Sequence, residues 1–415
     1  MRVLFVSHLF PPHGGGGVQR TVKFIKYLTR RDFRITVLTG AVDHSLADPV
    51  LYRDLPDSIE IRRARGLKIP SAVPWTARNQ LTRWLLIVDE QVGWLPFAVR
   101  EGKKLLDRRN PFDAIFSTSS PITDHLVAMR LRKVSGLPWV ADFRDPWIGN
   151  FSLKFATPLH RRLCARLEDR IVSTADRIIV VSETMREQFL TRYPHVDGAR
   201  FVTIPNGFDH EDYLDRVSYG GKGDRFNLVY TGSLYGSRQT ARPVLEGLRQ
   251  ALDDSLVDRA RFSMVFVGKA GGETRKLVDR FGLHDVVRIE GYRPHDQIID
   301  LQLEADALLL IIGSGPGSEV VFTGKVFEYL AARRPIIAVV PKGPAATLVE
   351  ETAAGTIVPP EDTAAIARCL ADHFAAWEEG RLEISPDDRL IAEYRRSVQA
   401  EKLAGLLEAA RRERG

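Results

Sequence analysis

The chain has 415 residues, of which 44% are hydrophobic and 27% charged, with a formal charge of +6 and a pI near 9.3. That length exceeds one ordinary core and calls for two or three domains, and the composition is that of a globular protein in water. Two cysteines far apart in sequence, Cys164 and Cys369, exclude a disulfide framework and a cysteine zinc site and fit a reduced cytoplasmic setting; no apolar run approaches the ~20 residues of a membrane span.

The opening MRVLFVSHLF has the apolar look of a short signal sequence. Pro11-Pro12 and a glycine run follow where a small-residue cleavage site belongs, so it reads as a first strand, residues 2–7. Further strands are expected at 34–39, 59–63, 113–118, 139–143, 177–182 and 201–205, then at 227–232, 262–268, 286–291, 307–312, 335–340 and 355–359. Segments of helical period separate them, among them Val18–Leu28, Thr123–Lys133, Leu159–Ser173 and Pro243–Leu252. Strands this apolar on both faces, alternating with helices, predict an α/β protein with parallel sheets covered on both sides.

Two such series need two sheets. The glycine-bearing polar stretch before Phe226 separates them, which predicts a first Rossmann-like domain over 1–210, a linker over 211–225 and a second Rossmann-like domain over 226–385. Residues 386–415 read as one long amphipathic helix. Such domains bind ligands at the C-terminal ends of their strands, so a cleft between two facing domains is the expected site.

The loop Ser7–Arg20 carries Gly14–Gly17, whose backbone can approach a ligand closely. A dinucleotide fingerprint would need a third glycine where Arg20 stands, and an acidic residue closing the second strand; Asp43 lies four residues past Thr39. A nicotinamide cofactor is disfavoured. His125 falls in the first turn of a helix after a strand end, either in a site or as a surface or capping residue. In DFRD, Arg144 lies between Asp142 and Asp145, which predicts ion pairing among the three rather than a metal site. No required metal is expected.

In Gly315–Ala332, GPGSEVVFTGKVFEYLAA, a glycine loop runs into a helix with Lys325 and Glu328 in its first turns and on nearly one face. Lys325 adds to the pull of a helix N-terminus on a phosphate. Glu328 would repel a phosphate but can accept both hydroxyls of a sugar diol. Phosphate beside diol describes a nucleotide.

Basic residues gather at Arg20, Lys23, Lys26, Arg30, Arg31 and Arg34, and at Arg100, Lys103, Lys104, Arg108 and Arg109. They are a solvated helix face or a surface for anionic membrane; no nucleic-acid motif accompanies them. Trp75, Trp84 and Trp94 lie in the apolar stretch 68–99, which could receive an acceptor, touch a membrane or simply be core.

These motifs together (the glycine loop, SSPITDHLVA, GLPWVADFRDPW, VVSETMREQF, IPNGFD, YTGSLY, GYRPHDQI and TGKVFEYLAARRPIIAV) resemble the GT-B-fold glycosyltransferases of family 4, retaining nucleotide-sugar transferases, essentially end to end. The resemblance implies a second domain that binds the nucleotide diphosphate, a first that offers the acceptor surface, and a terminal helix crossing back to the first. It implies a cytoplasmic enzyme of polysaccharide biosynthesis that takes a nucleotide-sugar donor and a glycosyl acceptor such as a lipid-linked or cell-surface glycan precursor or a small molecule, and that is peripheral at the inner membrane face if the basic clusters bind lipid. The family's second signature glutamate, which holds the ribose hydroxyls, matches Glu328, and its sugar-contacting histidine matches His125.

Two positions depart from the pattern. The first signature glutamate would fall at 320, which is Val320; either Glu319 takes its role or the amides of Gly315–Ser318 do. The family's basic pair falls on Ser233 and Gln239, which leaves Arg238 beside them as the partner of Lys325. The donor-binding set is therefore Gly15, Gly16, Gly17, Arg238, Gly317, Ser318, Lys325 and Glu328, with His125 and Glu319 as the catalytic pair. Rival readings are a nucleotide-sugar epimerase and a catalytically silent scaffold subunit.

Overall fold

In the computed structural model the chain forms two compact units, residues 1–205 with 396–415, and residues 206–395. The structure describes residues 1–414 apart from 43–46, 68–88, 108–110, 151–152, 154, 215, 217–222, 235–239, 269–271 and 316.

The first unit holds strands β1 (Arg2–Val6), β2 (Arg34–Thr39), β3 (Glu60–Arg63), β4 (Ala114–Ser119), β5 (Trp139–Phe143), β6 (Arg177–Val180) and β7 (Phe201–Thr203). They form one parallel sheet in the order β3-β2-β1-β4-β5-β6-β7. Its helices are α1 (Gly16–Thr29), α2 (Leu95–Leu106), α3 (Thr123–Ser135), α4 (Pro158–Thr174) and α5 (Glu183–Arg192). Alternate residues of β1 serve opposite cores: Leu4 and Val6 join one cluster, Val3 and Phe5 the other. A strand buried on both faces must be apolar throughout, which is why period-free runs marked the strands so well.

The second unit holds β8 (Phe226–Thr231), β9 (Phe262–Val267), β10 (Val287–Glu290), β11 (Ala307–Ile311), β12 (Ile336–Val339) and β13 (Gly355–Val358), with α6 (Arg242–Asp253), α7 (Gly272–Phe281), α8 (His295–Glu304), α9 (Gly324–Ala332), α10 (Pro344–Glu351), α11 (Thr363–Glu378) and α12 (Asp388–Ala392). The sheet is again parallel, ordered β10-β9-β8-β11-β12-β13. All thirteen expected strands are present, their ends within two residues of the reading.

The segment expected as one helix over 386–415 is two. After α12 the chain breaks at Glu393–Arg395, where the Tyr394 ring packs on Phe327 at 5.1 Å and the Tyr394 carbonyl accepts from Phe208 N–H. α13 (Arg396–Arg412) then belongs to the first unit, laying Ala400, Leu403, Ala404 and Leu407 against Val18, Val22 and Ile25 of α1. The units divide at Pro205–Asn206, upstream of the glycine-bearing stretch read as a linker.

α1 starts on Gly15, whose φ of +106° suits glycine, and ends before Asp32, at φ +62°. Its basic residues are not a free face. Arg20 is fully buried, while Lys23 and Lys26 are buried against Asp54 at 2.8 and 2.9 Å. An amphipathic pattern cannot reveal an acidic partner on a distant turn, and the solvated or membrane-facing reading of these three side chains is corrected here. Arg100, Lys103 and Lys104 on α2 are exposed; Arg108 and Arg109 lie outside the described residues. Trp94 is core, 1% exposed, and Trp75 and Trp84 are outside the described residues. Among the described residues no helix is long and apolar enough to cross a membrane.

Candidate functional site

Each sheet reverses its strand order once, between β1 and β4 in the first unit and between β8 and β11 in the second. Loops leaving the C-terminal ends of such neighbours run to opposite sides and open a crevice for a ligand. The candidate residues within the described parts fall at these two places.

In the first unit the glycine loop follows β1 and His125 follows β4. His8 N–H donates to Asp124 Oδ2 at 2.9 Å, tying the end of β1 to the start of α3. Burial raises the Asp124 carboxyl well above the ordinary range. The His125 ring is fully buried, 4.5 Å from Phe143, 6.1 Å from Trp139 and stacked at 6.0 Å on Trp147. Its Nδ1 is 2.7 Å from Ser117 Oγ, which also accepts the Trp139 indole N–H at 2.8 Å, while Nε2 has no partner. Beyond the Trp139 bond Ser117 Oγ keeps one hydrogen and one lone pair, so it meets Nδ1 in either neutral tautomer of the ring. Burial holds the imidazole neutral, its pKa pushed down to about 3. A neutral ring can hydrogen-bond a hydroxyl but does not act as a standing acid. His125 is thus neither a surface residue nor a cap.

Gly17 is shaped by Arg144, since a Cβ there would fall 1.3 Å from Arg144 Nη1. Arg144 donates to the carbonyls of Ser119 and Ser120, closing the loop after β4. The expected pairing of Asp142 with Arg144 is corrected. β5 ends at Phe143, so Arg144 turns off the strand, and Asp142 instead takes a bidentate pair from Arg20 at 2.9 and 3.0 Å, both side chains fully buried. Burial pushes the Asp142 carboxyl up, but Arg20 and the Thr118 hydroxyl outweigh it and hold it below its usual range. Arg20 also donates to the carbonyls of Ile204 and Pro205, so it binds the last residues of the first unit to its sheet.

In the second unit, Thr323 caps α9 by accepting from Lys325 N–H. The Lys325 side chain extends across the end of β8, its Nζ 5.3 Å from the Tyr230 ring centroid. Gly232 makes that path available: a Cβ there would lie 1.8 Å from Lys325 Cε, and its φ of +135° disfavours any other residue. Glu328 lies beside the same strand end. Gln302 Nε2 donates to Thr231 Oγ1 at 3.0 Å and reaches Glu328 Oε2 at 3.4 Å, and Tyr213 Oη donates to the Glu328 carbonyl at 3.3 Å. Lys325 and Glu328 therefore lie together at the reversal between β8 and β11.

The loop after β11 contains the remaining candidates. Ser318 is buried, and Val320 is 9% exposed and turned inward. Glu319 is exposed, and its carboxylate accepts from the Gly317 backbone N–H at 2.8 Å. The carboxylate thus engages one of the amides that were the alternative to it. Arg238 lies outside the described residues.

Two family models match the chain, "Glycosyltransferase Family 4" over residues 14–212 and "Glycosyl transferases group 1" over residues 225–375. The chain belongs to the GT-B-fold glycosyltransferases of family 4. Among solved structures, Anabaena HepE in complex with UDP and glucose matches with a TM-score of 0.70 at 15% identity, covering 99% of this chain and 100% of that one. Sucrose-phosphate synthase from Thermosynechococcus elongatus matches with a TM-score of 0.67 at 19% identity, covering 98% of each chain. The WcaL glycosyltransferase of Escherichia coli (strain K12) is 26% identical over 172 residues, 40% of this chain and 41% of WcaL. The alignment thus spans less than half of that relative.

Sequence reasoning missed Gln302, Ser117 and Tyr213. Gln302 carried a signal, a fully buried amide on the apolar stripe of α8 beside Ile299 and Leu303. Ser117 carried none, because a serine near a strand end reads as ordinary.

Proposed function

We propose that this glycosyltransferase moves a hexosyl group from a nucleotide-sugar to an acceptor with retention of anomeric configuration and without a metal. The observation that carries the reading is the placement of Lys325 and Glu328 at the strand-order reversal of the second unit. Departure of the leaving group puts negative charge on a diphosphate, which Lys325 and the N-terminus of α9 oppose electrostatically. Glu328, held only loosely by Gln302, keeps acceptor capacity for the ribose hydroxyls. The sugar becomes oxocarbenium-like, the acceptor attacks from the face the diphosphate leaves, and the leaving phosphate oxygen takes the acceptor's proton. His125 contributes a neutral Nε2 to a sugar hydroxyl.

HepE was solved with UDP and UDP-glucose, which favours a uridine nucleotide for this chain as well. WcaL bears colanic acid biosynthesis in its name, which favours a lipid-linked or cell-surface glycan precursor as acceptor. We place the enzyme in the cytoplasm, and contact with an anionic membrane would fall to exposed Arg100, Lys103 and Lys104 rather than to α1. The test is a thermal-shift panel of UDP-, GDP- and dTDP-sugars with the full chain. One of them should raise stability, by about 2.7 kcal/mol at a hundredfold excess over Kd. A chain that no nucleotide or nucleotide-sugar stabilises is not a nucleotide-sugar transferase. The buried Val320 at the first signature position favours a second reading, a silent scaffold, which binds a nucleotide-sugar without turning it over.

A further inference from the structure

The DFRDPW segment ends on Trp147, which the mechanism above does not use. Trp147 is 2% exposed, and its indole Nε1 has no hydrogen-bond partner. Trp139, in the same aromatic cluster, shows what a satisfied indole looks like there, with its N–H on Ser117 Oγ at 2.8 Å. Buried polar atoms are almost always paired, so an orphan calls for a partner that is missing. A second orphan lies on the neighbouring ring: His125 Nε2, on an imidazole stacked at 6.0 Å and 24° on the Trp147 indole.

Trp147 is also held in place with unusual care. Glu168, fully buried on α4, accepts from the backbone N–H groups of Trp147 at 2.6 Å and Ile148 at 3.0 Å through one oxygen. Its other oxygen accepts from Arg192 at 3.1 Å and from the Tyr193 hydroxyl. Four donors saturate the carboxylate, so the Trp147 backbone has one position while its indole N–H is left unspent.

The geometry points to Trp147 Nε1–H and His125 Nε2 as a paired subsite for the oxygens of a sugar, with Trp147 as a specificity-determining residue. This rests on the transferase reading above. An indole N–H stacked beside a neutral imidazole nitrogen recognises sugar hydroxyls, which both donate and accept, and a sugar analogue lacking the matched hydroxyl leaves the nitrogens unpaired, which makes the discrimination sharp. The oxygens belong to the donor sugar or to a sugar acceptor, which share this chemistry.

The test is Trp147→Phe in the full chain, which keeps the ring and removes the N–H. If the oxygens are the donor's, affinity for the stabilising nucleotide-sugar falls about tenfold, while affinity for the matching nucleoside diphosphate and the Tm stay unchanged. If they are the acceptor's, donor affinity is unchanged and the acceptor KM rises about tenfold. A variant equal to wild type in all of these overturns the inference alone; a wild type that binds no nucleotide-sugar overturns the transferase reading with it. Should Trp147→Phe fold poorly, the wild type answers by NMR of its six indole N–H groups, assigned by single Trp→Phe changes at the other positions. The remaining resonance, that of Trp147, should move on adding the nucleotide-sugar or a sugar acceptor and not on adding the nucleoside diphosphate. No movement with either sugar-bearing ligand overturns the inference.

Discussion

Lys325 crosses the end of β8 in the space that Gly232 leaves by having no side chain: a Cβ on Gly232 would stand 1.8 Å from Lys325 Cε. The residue that follows the strand thus determines where a cation on a distant helix can lie. Gly232→Ala should strain a backbone at φ +135°, at a cost of about 1–3 kcal/mol, and push Lys325 aside. Nucleoside diphosphate affinity should fall about as far as in Lys325→Met, tenfold or more, as for a lost hydrogen bond to a charged group. Titration calorimetry on both variants decides this; wild-type affinity in Gly232→Ala would mean that Lys325 need not lie there.

Glu328→Gln should weaken nucleotide binding by about 1–3 kcal/mol through loss of charge-assisted bonds to a diol. The fold should be spared, because Tyr213 holds the Glu328 carbonyl rather than the carboxylate. The matched deoxynucleotide should lose less affinity in the variant than in wild type. Equal losses would remove the ribose from Glu328.

His125 makes a signed prediction about pH. Its folded pKa, pushed down to about 3, lies below the ~6.5 of an unfolded histidine, so between these values the unfolded chain binds more protons. The stability it contributes is therefore full above about pH 6.5 and is lost as pH falls toward 3. Between pH 7 and pH 5 the loss is about 2 kcal/mol, and it should vanish in His125→Phe. Urea denaturation of both proteins at the two pH values measures it. The same neutral ring predicts a turnover rate without an inflection from His125 near pH 6.5; such an inflection, absent in the variant, would show the ring charging in use.

Arg20→Met should destabilise the first unit by about 3–5 kcal/mol, since it strands the Asp142 carboxylate in a fully buried place. Adding Asp142→Leu should restore much of the loss, as a packed apolar pair often replaces a buried ion pair without cost. Denaturation midpoints of the two singles and the double form the cycle. Additive losses would contradict a coupled pair.

The sheets were legible because strands buried on both faces leave a period-free apolar run that few other structures produce. That Lys325 and Glu328 lie together could be read from the sequence because both belong to one helix. The pairing of Arg20 could not, because its partner Asp142 lies 122 residues away and nothing in the α1 pattern separates a buried arginine from an exposed one. The break at Glu393–Arg395 was equally hidden. No glycine or proline marks it, and it arises where Tyr394 is held by Phe327 and Phe208 in one unit while Leu403 and Leu407 pack on α1 in the other. Ser117 and the orphan nitrogens of His125 and Trp147 depend on ring orientation, which no spacing encodes.

The proposed transfer of a sugar from a nucleotide with retention is tested by the anomeric configuration of the product. The full chain is incubated in EDTA with the nucleotide-sugar that stabilises it, and early product is followed by proton NMR, with water as acceptor until a better one is found. Product with the anomeric configuration of the donor, formed at a rate that EDTA leaves unchanged, is the predicted result. Inverted product, turnover abolished by the chelator and restored by magnesium or manganese, or tight binding with no turnover at all would contradict it.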